Sequence, residues 1–174
     1  MALAILGETV EKDEIERKFL PKFIPDEINA GIEKGRFRRI LINQGYVSGD
    51  EGFRLRKENE KGKCRYFIAT KRGEGLKRGE KEVEIKLGEF ALEWERVTDQ
   101  LWKMRYFIPH GRYMIELNFF FGPLKGYVQI EEEFASEKEA VIFVPPRWFD
   151  KEVTDDESHS NFNLARLGVP KEEA

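Results

Sequence analysis

Glu80-Lys81-Glu82-Val83-Glu84-Ile85-Lys86-Leu87 alternates with the period of a β-strand. Glu80, Glu82, Glu84 and Lys86 share one face, and Val83, Ile85 and Leu87 share the other. The same split recurs outward along the chain. In 13–20, Glu14, Glu16 and Lys18 oppose Ile15 and Phe19; in 51–57, Arg54 and Arg56 oppose Phe53 and Leu55. In 101–108, Lys103 and Arg105 oppose Trp102, Met104, Tyr106 and Ile108; in 112–121, Glu116 and Asn118 oppose Ile115, Leu117 and Phe119. In 126–134, Glu131 and Glu133 oppose Val128 and Ile130, and 38–47 and 64–71 complete the set of eight strand-like segments.

Any one of these strands fits an antiparallel sheet with one wet face. Together they show more, because some strands carry carboxylates and others guanidinium or ammonium groups. Cross-strand salt pairs could produce that sorting. So could a barrel with its charges turned inward, since about eight strands can close around one small ligand. Dry, unpaired charges there would be unstable, so such a lumen needs water, metal ions or an anion. Two architectures stay open on this reading: a sheet with one wet face, and an α+β, mainly β fold, a closed eight-stranded antiparallel barrel, or tunnel, with peripheral covering helices, between which the order of the motifs decides.

Helices are expected over 25–35 and 89–98, after the capping box of Ser136 and Glu139, and over 156–167, where Gly168 and Pro170 end the chain's last helix. Pro109-His110-Gly111 makes a hairpin turn. Residues 1–12 read as an N-terminal tail and 13–170 as one domain.

The 174 residues are 40% apolar, enough for a core, and 36% charged. Thirty bases against 33 acids leave a net charge of -3, which argues against a nucleic-acid partner. The one cysteine, Cys64, excludes a disulfide framework and a cysteine-based zinc site. Met1 to Gly7 is apolar but short and without a basic flank, and no run is long enough to span a membrane. A cytoplasmic protein with no membrane partner is expected, and a homodimer is compatible with this reading.

Seven short motifs follow one another. Glu14-Ile15-Glu16-Arg17-Lys18 reads E-x-E-x-K, Arg54-Leu55-Arg56 reads R-x-R, and Lys71 stands alone on its strand. Arg78, Glu80 and Glu82 read R-x-E-x-E; Lys103 and Arg105 read K-x-R. Glu116-Leu117-Asn118 and Glu131-Glu132-Glu133 complete the series. In this order the motifs resemble the CYTH superfamily, or triphosphate tunnel metalloenzymes, over residues 13–167. The chain is most similar to the small single-domain bacterial inorganic triphosphatases, including Trp148-Phe149 and the last helix with Asn161.

The resemblance implies a divalent-metal-dependent triphosphatase that cleaves the terminal phosphate of tripolyphosphate, or of a related organic triphosphate, inside the tunnel. Alternatives are a class IV-type adenylate cyclase or a thiamine triphosphatase of the same superfamily, and a non-catalytic binder of polyphosphate or nucleotide. The implied substrate-binding set is Lys18, Arg54, Arg56, Lys71, Arg78, Lys103 and Arg105. The implied metal set, for Mg²⁺ or Mn²⁺, is Glu14, Glu16, Glu80, Glu82, Glu116, Asn118, Glu131 and Glu133. Catalysis is assigned to Glu14, Glu16, Lys18, Arg54 and Arg56, with the water's proton passing to one of Glu14, Glu16, Glu131 and Glu133. These types suit the chemistry: guanidinium forks grip phosphate oxygens, and carboxylates suit hard cations. Two positions depart from the pattern, with Asn118 for an aspartate and His159 for a tyrosine. Glu84 and Glu132 are expected on the solvated surface.

Overall fold

The computed structural model describes residues 9–72 and 77–171, without the side chains of 9–12, 51, 71, 72, 77 and 78. The strands are β1 (Thr9–Pro21), β2 (Arg38–Val47), β3 (Asp50–Glu60), β4 (Lys63–Arg72), β5 (Lys77–Ile85), β6 (Asp99–His110), β7 (Tyr113–Phe120), β8 (Val128–Glu133) and β9 (Phe149–Glu152). The helices are α1 (Asp26–Glu33), α2 (Leu87–Trp94), α3 (Glu137–Ile142) and α4 (Asn161–Leu167).

The sheet runs β5-β4-β3-β2-β6-β7-β8-β1-β9, and β5 also pairs with β1. Eight antiparallel strands therefore close into a barrel, which removes unpaired edges. The closure depends on the length of β1. Its first half pairs with β5, from Thr9↔Val83 to Ile15↔Lys77, and its second half pairs with β8, from Glu16↔Glu133 to Phe19↔Ile130. The stretch expected as a tail thus enters the sheet at Thr9; residues 1–8 lie outside the described residues.

A ninth strand was not expected. β9 lies on the outer half of β1, pairing Phe19↔Glu152 and Pro21↔Phe149. Its four residues are too few to show a period, and only Phe149 is buried. The last helix also differs: a short 3-10 turn, Glu157–His159, precedes α4, and Ser160 caps α4 by accepting from Asn163 N at 3.2 Å. A serine that can cap breaks what the periodicity alone reads as one helix.

Apolar outer faces explain the covering helices. Phe90 of α2 packs with Leu55, Val83 and Ile85, and Phe90 stacks on Trp94 at 5.0 Å. Gly45 is the only residue type that fits beneath this helix, because a Cβ there would stand 2.7 Å from Val97 and 2.9 Å from Trp94. Ala140 and Phe143, in and after α3, cover Phe19, Leu117 and Ile130, with Ile28 and Ile32 of α1 at the margin. The expected turn at Gly111 is present, with φ +59. No helix among the described residues is long and apolar enough to cross a membrane.

Candidate active site

Register places the charged faces inside. Directly opposed residues share a face, so the pairs Tyr46↔Arg54, Gln44↔Arg56, Ile42↔Lys103 and Ile40↔Arg105 fix one side of the barrel wall. The pairs Arg105↔Asn118, Glu116↔Glu131, Lys18↔Glu131 and Glu16↔Glu133 fix the other. Glu14, Glu16, Lys18, Arg54, Arg56, Glu80, Glu82, Lys103, Arg105, Glu116, Asn118, Glu131 and Glu133 all belong to this inner face. Lys71 stands opposite Glu80 and Arg78 opposite Glu14, but their side chains lie outside the described residues.

The lumen deepens toward one end. At its rim Arg65 and Glu84 pair at 2.7 Å with side chains 58% and 50% exposed, so Glu84 is solvated as expected. Further in, Arg56 meets Glu82 at 2.7 Å. At the bottom Lys103 is 1% exposed. Beneath it Tyr46, Leu101 and Phe120 pack against Leu164 of α4, sealing that end with carbon. A cavity of about 260 Å³ opens at the other end, lined by Arg38, Arg56, Glu82, Arg105, Glu116 and Glu133 among others.

Acids and bases inside are paired with one another. Arg54 bonds Glu80 and reaches Glu82 at 3.3 Å. Arg105 bonds both Glu116 and Glu131, Lys103 reaches Glu131 at 3.2 Å, and Lys18 reaches Glu16 at 3.0 Å. The pairing moves the proton affinities. Burial pushes Glu116 up to about 7, with Arg105 opposing and Glu131 and Glu133 reinforcing. Burial alone would also raise Glu131, but Lys103, Arg105 and Lys18 hold it well below the usual carboxylate range. Burial pulls Lys103 down to about 7 against the attraction of Glu131. Burial would lower Arg54 too, yet Glu80 keeps it charged and raised.

Asn118 is wholly engaged. Its Oδ1 accepts from Arg105 Nε at 2.9 Å, and its amide donates to the carbonyls of Glu116 at 3.2 Å and Gln129 at 3.4 Å. In this arrangement it orients Arg105. His159 lies outside the lumen, at the seal. Its Nδ1 shares a 2.7 Å hydrogen bond with the Tyr127 hydroxyl, and its carbonyl accepts from Gln129 Nε2 at 2.9 Å.

Two expectations change. Glu132 does face away from the lumen, but it is 1% exposed, not solvated. Its Oε1 accepts from Met114 N at 3.3 Å, its Oε2 has no partner, and burial lifts its pKa to about 7. The inner face is also less uniformly charged than the motifs suggest, because Ile40, Ile42, Phe67 and Ala69 occupy it beside buried Gln44 and Gln129. Gln129 was legible as the residue two before Glu131, on the same face; its lack of charge hid it.

A cation would meet an all-oxygen donor set here. Glu16 stands directly across from Glu133, and Glu116 from Glu131. Like charges so placed repel unless a cation lies between them, as Arg105 does between Glu116 and Glu131, and a polyanion that draws Arg105 away leaves that place to a metal ion. Among the described residues no three acidic, histidine or cysteine groups converge to enclose a metal. Carboxylate oxygens of this kind suit a hard divalent cation, which can complete its shell with waters and substrate phosphate.

No protein-family model matches the chain. It is 35% identical over 163 residues to an inorganic triphosphatase of Nitrosomonas europaea, covering 90% of this chain and 99% of that protein. It is 31% identical over 157 residues to an inorganic triphosphatase of Acetivibrio thermocellus, covering 88% of this chain and 93% of that one. A crystal structure of an inorganic triphosphatase superposes with a TM-score of 0.60 at 30% identity, covering 91% of this chain and 97% of its own.

Proposed function

Because this chain belongs to the inorganic triphosphatases of the CYTH superfamily, we propose that it hydrolyses the terminal phosphate of tripolyphosphate in its lumen with the aid of Mg²⁺ or Mn²⁺. The observation that carries the reading is the set of mutually paired charges on the inner wall. Buried ion pairs seldom add stability over carbon of the same volume, so so many of them in one lumen point to a ligand. A polyanion exchanges partners with them: its oxygens take the guanidinium groups from Glu80, Glu82 and Glu116, and the released carboxylates then face cations. Arg54 is prepared for this, since its buried Nε–H has no acceptor.

Lys18, Arg54, Arg56, Lys103 and Arg105 hold and orient the phosphates, with Lys71 and Arg78 assigned to the same task by motif. They stabilise charge on the phosphoryl group as it leaves the bridging oxygen for an incoming water. Glu16, Glu116, Glu131 and Glu133, with Glu14, Glu80 and Glu82 beside them, would hold divalent cations. A bound cation supplies charge neutralisation and Lewis-acid polarisation. The water's oxygen attacks the terminal phosphorus, the bond to the bridging oxygen breaks, and pyrophosphate leaves. Glu131 is held too acidic to be a good proton acceptor. That leaves Glu14, Glu16 and Glu133 for the water's proton.

Arg54→Ala and Glu16→Gln should each lower kcat for tripolyphosphate on the order of a hundredfold. Phosphate release by either variant within about twofold of wild type would remove the basis for this site. A substrate panel of tripolyphosphate, ATP, thiamine triphosphate and pyrophosphate separates the inorganic reading from organic triphosphates.

A further inference from the structure

A second cavity, of about 550 Å³, adjoins the lumen mouth and shares Arg38, Phe107, Glu116 and Glu133 with it. It exists because two strands part. The β7–β8 ladder stops at Glu116↔Glu131, although β7 begins at Tyr113 and β8 continues to Glu133. Glu132 enters the gap from the outer side of the wall, taking the Met114 N–H that a ladder carbonyl would otherwise satisfy.

The chamber has a surplus of acid. Among the described residues it is lined by four carboxylates, Glu116, Glu132, Glu133 and Glu139, against two guanidinium groups. Arg38 is already clasped by Glu60 at 2.8 and 2.9 Å, and Arg112 lies 3.7 Å from Glu139. Glu132 is the exception to this pairing: it is 99% buried, by its 1% exposure, and its Oε2 has no donor. A buried carboxyl oxygen in this state is costly unless a ligand completes it. Tyr113, Met114 and Ala135 add carbon surface to the wall.

We propose that this chamber binds an alkyl polyamine, with one ammonium group seated on Glu132 and the methylene chain lying along Tyr113 and Met114 toward the lumen mouth. A second ammonium group then reaches Glu133 and the edge of the phosphate site. Its effect on the polyphosphate substrate rests on the triphosphatase reading; its binding to the chamber does not.

Calorimetric titration of putrescine into the phosphate-free wild-type protein should give saturable one-site binding. Glu132→Gln should weaken it at least about tenfold, as expected for losing one half of a charge-assisted contact. Ala135→Leu, which narrows the chamber without touching the carboxylate, should weaken it too. Glu157→Gln, which removes an exposed acid that lines neither cavity, should bind as wild type does. Tripolyphosphate hydrolysis measured without amine should stay within about twofold in all three variants. Wild-type protein that binds putrescine yet releases no phosphate counts against the triphosphatase reading and not against the chamber. Absence of saturable binding, or equal affinity in wild type and Glu132→Gln, overturns the proposal.

Discussion

Asn118 and Glu132 sit on adjacent strands and differ in how their polar atoms are met. Every hydrogen-bonding atom of the Asn118 side chain has a partner, so its departure from an aspartate gains a structural reason: a carboxylate could not donate to the two carbonyls. The motif marked this position from sequence, but no motif could show that its oxygen is committed to Arg105. Glu132 was misread because alternation gives the face and not what covers it. Its raised pKa has a consequence for stability. The folded protein binds this proton more tightly than the unfolded chain, so the contribution is complete below the ordinary value of 4.5 and is lost as pH rises through about 7. Glu132→Gln should therefore stabilise the fold above about pH 8, by up to on the order of 3 kcal/mol, and change its stability little below about pH 4. Thermal melts across that range check the sign; a uniform shift at all pH values contradicts it.

Arg17 does for the elements what the lumen charges do not, since it joins them outside the barrel. From β1 its guanidinium takes both oxygens of Glu152 on β9, at 2.8 and 2.6 Å, and donates to the carbonyls of Ala140 at 2.9 Å and Phe143 at 3.1 Å. One side chain thus ties α3 and the edge strand to the wall, and it satisfies carbonyls left open at the end of α3. Arg17→Ala should cost about 2 kcal/mol, read as a lower urea midpoint, while kcat for the folded protein is retained. Arg17→Lys should recover only part, because an ammonium group cannot span the same four acceptors. In sequence this residue is the second unassigned letter inside E-x-E-x-K. The strand it secures was equally unread, since a pairing between Phe19 and Glu152 leaves no local pattern in either segment.

The closed barrel as a whole was legible from the sorting of charge, strand by strand, together with the family resemblance. What neither showed was the means of closure, which needs β1 to serve two partners in succession and to start at Thr9. Ligand binding should report on the whole assembly. Tripolyphosphate with Mg²⁺ at about a hundred times Kd should add roughly 2.7 kcal/mol to stability. For a chain of this size that is a rise in Tm of about 5–10 °C, and an unchanged Tm at saturation would mean that the lumen does not bind. The carbon seal formed by Leu164 with Tyr46, Leu101 and Phe120 also sets the order of traffic. A shaft with a dead end works single file: whichever fragment lies nearer the entrance must depart before the one beneath it. Adding the outer fragment back should then trap its companion inside.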